Sequence, residues 1–313
     1  MSGVLSMLTG CTYSAVPGDP TIGAAAATSS TTASVAYTAP VSNGGSTITL
    51  YTATSSPSGI TGTVSQSGSG TITVSGLNGN TTYTFTVRAT NAIGQSAAST
   101  ASNSITTTPE IGQAYGGGFF AGQISTSANG VATHNLVISP KSTGQSTGKW
   151  GTVTGTGIQS VIDGPGNTTA LNALGANYVA AQFCENLNTG GYTDWYLPAK
   201  NELITLYYFL KPEAKENNTN SNGSNANAVS PQPISTFFTS STPAQTSVKA
   251  FKSGGSEHIF DDTYGTWSST EYAGEMTAAW LLYMTGFTTS GGMGGQVKTY
   301  TPVYCRAVRR VAI

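Results

Sequence analysis

The sequence predicts an all-β sandwich followed by an α+β domain. Three observations point there. Between Pro17-Gly18-Asp19-Pro20 and Thr108-Pro109-Glu110 the chain alternates short β-branched runs with Gly, Ser and Asn turns, the pattern of a sandwich. All four Trp and two stretches of helical periodicity fall after residue 112. Finally, 38% hydrophobic residues, with 15 Tyr and 10 Phe, supply enough apolar area for a chain of 313 residues to build two cores.

The sandwich strands are expected at Ala33 to Ala39, Thr47 to Ala53, Thr71 to Ser75 and Thr82 to Thr90. In the last, Tyr83, Phe85, Val87 and Ala89 share one face at period two, and Thr84, Thr86, Arg88 and Thr90 face water. Tyr37 before Pro40, then Asn43-Gly44-Gly45, Ile48 and Tyr51, then Leu77 and Tyr83 through Asn91 and Gly94, resemble the fibronectin type III family over residues 17–109. The resemblance implies a tyrosine corner at Tyr83 and a core altered by Tyr37, where many members carry Trp. The domain has no Arg-Gly-Asp tripeptide and reads as a spacer.

In residues 112–313 the first helix is expected after Asn167 as N-cap, with Leu171, Leu174, Tyr178, Ala181 and Leu187 at three- and four-residue steps. The second follows Pro198, with Leu203, Leu206, Tyr207 and Leu210 on one face, and both helices read as amphipathic. Residues 211–246, rich in Asn, Ser, Pro and Thr, form a long polar insertion, either a second binding surface or an excursion.

Four motifs run in order through this region: Gly116-Gly117-Gly118-Phe119-Phe120; Gly190-Gly191-Tyr192-Thr193-Asp194-Trp195-Tyr196-Leu197-Pro198-Ala199-Lys200-Asn201-Glu202-Leu203; Trp267-Ser268-Ser269-Thr270-Glu271-Tyr272; and Tyr304-Cys305-Arg306-Ala307-Val308-Arg309-Arg310. Together they resemble the Lcl C-terminal domain family, named for a collagen-like bacterial adhesin. The resemblance implies a C-type-lectin-like fold with a disulfide from Cys184 on the first helix to Cys305 on the last strand. That bond would close a loop of about 120 residues and contribute about 4 to 5 kcal/mol by chain entropy; two buried thiols are the alternative.

Charge and motifs exclude several functions. Only 8% of residues are charged and the formal net charge is −1, with no basic cluster larger than Arg306, Arg309 and Arg310, so nucleic-acid binding is not expected. No stretch approaches the ~20 apolar residues of a membrane span. His134 and His258 stand far apart, with no nucleophile elbow, zinc spacing or phosphate loop, and the chain reads as non-enzymatic with no cofactor. The calcium tripeptides of sugar-binding lectins are missing; Asp261, Asp262 and Glu271 form a minor oxygen-rich candidate for Ca2+, or simply cap a turn.

Recognition is expected from His258, Asp261, Asp262, Tyr264 and Trp267, which mix aromatic, acidic and imidazole groups in a glycine-flanked loop. Trp195 reads as packing. The ligand is expected to be a host-surface glycan or protein. Residues 4–11 end in a Leu-x-Gly-Cys tetrad, yet no Lys or Arg precedes the run and it is shorter than a signal core of about 7 to 15 residues. Residues 1–16 therefore read as a segment attaching the chain to virion structural proteins, with Cys11 outside the disulfide. A homotrimer through Val4 to Leu8 would give avidity to a weak site. The expected setting is a virion surface; the alternatives are a capsid decoration protein and a bacterial surface adhesin or extracellular filament subunit.

Overall fold

The computed structural model describes residues 14–217, 223–229, 232, 238–259, 264–283 and 292–313. Asp261, Asp262, Cys11 and most of the N-terminal segment lie outside the described residues. The chain divides into two compact units, Met1–Glu110 and Ile111–Ile313.

The first unit is a two-sheet sandwich. Strands β1 (Thr21–Ala27), β2 (Thr32–Thr38) and β5 (Gly70–Ser75) form one sheet in the order β1-β2-β5. The other runs β4-β3-β6-β7, with β3 at Leu50–Ser56, β4 at Thr61–Val64, β6 at Thr82–Thr90 and β7 at Ile105–Thr106. Strand β3 begins three residues later than its apolar pattern suggests, because its antiparallel partner β6 is in register only from Leu50↔Thr90 to Ser56↔Thr84. Alternation along β6 buries Tyr83, Phe85, Val87 and Ala89 in one core with Tyr51 of the neighbouring strand β3 and Val35, Ile72 and Val74 of the facing sheet.

Tyr37 and Tyr51 pack with ring centroids 4.3 Å apart, and each hydroxyl escapes the core by donating to a loop carbonyl, of Gly68 and Ser67 respectively. The corner at Tyr83 is formed: the Asn78 N–H donates to its hydroxyl oxygen at 3.0 Å. The described end of the segment expected to attach the chain, residues 14–16, reaches the sandwich through Ala15. The Ala15 N–H donates to Gly44 O at 2.8 Å, and Ala15 O accepts from Asn91 Nδ2 at 2.7 Å. Ala15 is thus held by one backbone carbonyl and one side-chain amide of the sandwich.

The second unit, expected to be α+β, is β-rich, with two sheets and short helical segments between their strands. One sheet runs β16-β10-β9-β8, from β8 (Ala114–Tyr115), β9 (Gly118–Ile124), β10 (His134–Ile138) and β16 (Val308–Ala312). The other runs β11-β15-β12-β13-β14, from β11 (Gln145–Thr147), β12 (Thr266–Glu271), β13 (Ala278–Tyr283), β14 (Gly292–Val297) and β15 (Tyr304–Arg306). The short helix α1 (Lys141–Gly144) leads into β11, and α2 (Gly164–Ala173), α3 (Val179–Glu185) and α4 (Lys200–Leu210) follow.

The single helix expected after Asn167 is two. Asp163, not Asn167, caps α2, accepting from the Gly166 N–H at 3.1 Å, and the chain breaks at Gly175, whose φ of +101° suits glycine. Asn167 is buried instead, donating to Ser160 O at 2.7 Å. Helix α4 is buried on nearly every side rather than amphipathic. Gly122 lets it approach β9, since a Cβ there would meet the Phe209 ring at 2.6 Å. On its other flank the 211–246 insertion turns its amides inward: Asn225 Nδ2 donates to Asn201 O, and Asn201 Nδ2 donates to Asn227 Oδ1. These described parts of the insertion serve packing, the buried polar groups being paired as burial demands.

Cys184 and Cys305 are both buried and free, and Cys305 Sγ donates to Ser146 O at 3.5 Å. The expected disulfide is therefore not formed in this structure; the pair packs as two small apolar groups. Burial pushes the Cys184 thiol well above its ordinary range, with Cys305 adding to the rise.

Candidate functional site

The terminal strands organise the second unit electrostatically. Adjacent residues of a strand point to opposite faces, so Arg309 and Arg310 of β16 reach to opposite sides of it. Arg309 holds Asp194 with two parallel bonds, Nε to Oδ1 at 2.7 Å and Nη2 to Oδ2 at 2.9 Å. It also lies 3.7 Å above the Tyr192 ring and donates to Gly116 O at 2.9 Å. Gly117 beside it is required: its φ is +82° and a Cβ would meet Tyr192 at 2.4 Å. Arg310 reaches Glu202 Oε1 at 2.7 Å, and Glu202 Oε2 accepts from the Ala199 N–H at 2.8 Å. Burial lifts the Glu202 carboxyl above its ordinary value, Arg310 and Tyr196 opposing the rise.

Arg306 of β15 is fully buried. Its Nη2 donates to Glu257 Oε2 at 2.9 Å and to Ser139 O at 2.6 Å. Burial pushes its pKa down to about 10, with Glu257 opposing, so it stays charged at neutral pH. Glu257 Oε2 also accepts from the Lys141 N–H at 2.7 Å, which fixes the start of α1. The basic cluster of the C-terminal motif is therefore internal bracing.

Beside this brace opens a groove of ≈ 550 Å³, lined by Lys141, Ser142, Gln145, Ser146, Thr147, Ser256 and Tyr304. The antiparallel pairing of β11 with β15, Thr147↔Tyr304 and Gln145↔Arg306, brings these distant residues together. Most of the side chains that line it end in a hydroxyl or amide group, and Ser142, Thr147 and Ser256 are exposed. His258 stands at the same end: its Nδ1 is 2.9 Å from Lys141 Nζ and 3.2 Å from Gly255 O. The sequence pointed to His258 and its turn, but Lys141 to Thr147 carry no signal of their own, reading as an ordinary polar loop.

The other expected site residues divide. Tyr264 is half-buried. Trp267 is a correction: it is buried completely in β12 and its indole N–H donates to Gly148 O at 2.9 Å, so neither ring face is open to a ligand. Trp150 and Trp195 are equally buried. Trp280 carries Lys200 Nζ 4.0 Å from its centroid and the Tyr272 ring edge-on at 4.7 Å, which leaves it no clear stacking face.

Glu271 is also corrected. Its Oε1 receives the Lys298 ammonium at 2.5 Å, and Oε2 accepts from the Thr156 hydroxyl at 3.0 Å and the Gly157 N–H at 2.7 Å. It is a buried structural carboxylate with its lone pairs engaged, not a ligand for calcium. Among the described residues no group of three or more His, Cys, Asp or Glu converges to hold a metal, and no helix is long and apolar enough to cross a membrane.

Residues 150–309, more than half of the chain, match the family model of the Lcl C-terminal domain. The chain belongs to the Lcl C-terminal domain family. Residues 18–105 match the fibronectin type III domain. The matched Lcl span contains the groove's β11–β15 sheet edge only in part, since Lys141 to Thr147 precede it. No curated protein matches the chain.

Among solved structures, a titin kinase with its flanking domains is 29% identical, covering 29% of this chain and 17% of that one, with a TM-score of 0.25. A twitchin kinase region from C. elegans is 20% identical over 31% and 18% of the two chains, with a TM-score of 0.26. The fourth fibronectin type III domain of a human protein is 24% identical over 37% and 96%, with a TM-score of 0.27. The chain thus spans under a fifth of the length of the two kinase structures. Fibronectin type III and Lcl domains are typically non-catalytic, and the pair indicates an adhesin-like or surface protein.

The bonds of Lys298 and Thr156 hold the Glu271 carboxyl below its ordinary value of 4.5, although burial itself acts to raise it. A carboxyl with a depressed folded pKa contributes stability that is present above its unfolded value and lost as pH falls through the folded one. Glu271→Gln should accordingly lower the melting temperature at neutral pH and flatten its decline below about pH 4.5. Melting temperature against pH for the two proteins checks this, and parallel acid limbs would contradict it.

Proposed function

We propose that the chain is a non-enzymatic binding protein displayed on a virion surface, whose second unit has C-type-lectin-like architecture and recognises a host-surface glycan or protein. The observation that carries this reading is the groove beside His258: an open concavity of hydroxyl and amide groups on a strongly braced unit. Such walls offer directional hydrogen bonds to a polyhydroxylated ligand, and bracing lowers the ordering cost of binding. We assign the expected contacts of Asp261, Asp262 and Tyr264 to the same recognition function, of which Tyr264 is the described, half-buried member.

The sandwich serves as a spacer, residues 1–16 join the particle, and a homotrimer multiplies a weak site. A capsid decoration protein and a bacterial surface adhesin or filament subunit are the rival settings, separated by where the chain lies in its particle or filament.

Oxidising surroundings would close Cys184 and Cys305 into a disulfide by loss of two electrons to an external disulfide or quinone oxidant and release of two protons. Protein secreted or assembled under those conditions, unfolded without reductant, should resist alkylation at both positions; alkylation of both would exclude the bond.

Recognition is tested by Ser142→Arg combined with Thr147→Arg, two exposed positions whose new side chains fill the groove. Surface changes of this kind typically alter stability by under about 0.5 kcal/mol. Adsorption to host cells or retention on a glycan array should fall at least about tenfold, or 1.4 kcal/mol, with light scattering still showing a trimer. A parallel variant, Asp261→Ala, Asp262→Ala and Tyr264→Ala, measures the loop's share. If both variants fold, assemble and bind normally, the surface is not the site and decoration becomes the better reading.

A further inference from the structure

Lys298 follows β14 and is wholly buried, an unusual place for an ammonium group. Its surroundings explain why it is tolerated. Three oxygens from three separate segments converge on Nζ: Thr154 O at 2.8 Å, Met276 O at 2.6 Å and Glu271 Oε1 at 2.5 Å. An ammonium has three N–H donors and no acceptor, so each oxygen takes one bond and none is left over. The Trp150 ring lies 4.9 Å from Nζ and adds an aromatic face.

The cage is also fixed from outside. Trp150 N–H donates to Lys298 O at 2.9 Å, Lys298 N–H donates to Thr277 O at 3.0 Å, and Glu271 N–H donates to Ile158 O at 2.8 Å. Its oxygens are therefore positioned by backbone bonds as well as by the cation they surround.

We propose that Thr154, Glu271, Met276 and Trp150 form a cation site that the chain fills with its own Lys298 ammonium, and that this site takes up a free primary alkylammonium ion once the lysine side chain is shortened. The donor set fixes the class of ion. Calcium takes six to eight oxygens, and three oxygens with an aromatic face suit an organic ammonium better. In the intact chain the tethered cation joins the 150–158 loop, the end of β12 and the turn before β13 without any dissolved ion.

The test uses full-length Lys298→Ala, which removes three methylenes and the ammonium and leaves room for propylammonium. Thermal unfolding is followed by tryptophan fluorescence in propylammonium chloride, in sodium chloride at equal ionic strength and in calcium chloride. The variant should melt below the parent, and propylammonium alone should raise its melting temperature along a saturable curve. The parent should not respond, nor should Lys298→Met, whose stem occupies the same channel.

Where Lys298→Ala does not fold unaided, refolding yield by near-UV circular dichroism replaces melting temperature, and propylammonium should restore it. No response beyond sodium chloride in either readout overturns the proposal. So does an equal response in the parent and Lys298→Met, or rescue by calcium and not by the amine.

Discussion

Three buried or half-buried guanidinium groups on the last two strands hold the second unit together. Arg306, Arg309 and Arg310 each take a carboxylate from a different stretch of chain, Glu257, Asp194 and Glu202. Arginine suits this position because its planar fork offers several fixed donors and keeps its charge when desolvated. A buried pair of this kind adds little over a well-packed apolar pair, yet breaking one by removing a single partner costs about 3 to 5 kcal/mol, because the other charge is stranded. The terminal strand thereby fixes the 190–203 segment from both of its faces, and Arg306 of β15 sets the turn at Glu257 that borders the groove.

The low charge of the sequence acquires a structural meaning from this. Of a small number of ionisable residues, Arg306, Arg309, Lys298, Glu202 and Glu271 are spent in the interior. Much of the surface is left to Ser, Thr, Asn and Gly, and the groove shows the result in a wall of hydroxyls and amides. Long-range steering of a charged partner would be weak on such a surface, and short-range hydrogen bonding with repeated weak sites suits it better.

Legibility in the sequence followed the reach of each interaction. Strand β6 could be read to the residue because period-two burial is a local property, and α4 because Pro198 and the leucine spacing mark it. The tyrosine corner was legible through the resemblance that Leu77 and Tyr83 carry. The break between α2 and α3 was not, because the helical spacing of Leu171, Leu174 and Tyr178 continues across Gly175. Trp267 misled because in sequence it reads with the mixed aromatic, acidic and imidazole stretch that precedes it, whereas it lies in β12, whose residues are all buried. The groove is a product of long-range pairing between β11 and β15, and neither strand announces the other in sequence.

The bracing account rests most heavily on Arg310 and Glu202, the pair with the least exposed carboxylate. A double-mutant cycle with Arg310→Met and Glu202→Gln, read by equilibrium denaturation of the second unit's transition in the full chain, isolates their coupling. Each single change should destabilise by about 3 to 5 kcal/mol, and the double variant should cost less than the sum by about 2 kcal/mol or more. Single effects that add to within about 0.5 kcal/mol would mean that the two groups are held independently, and that the terminal strand does not brace the unit through its charges.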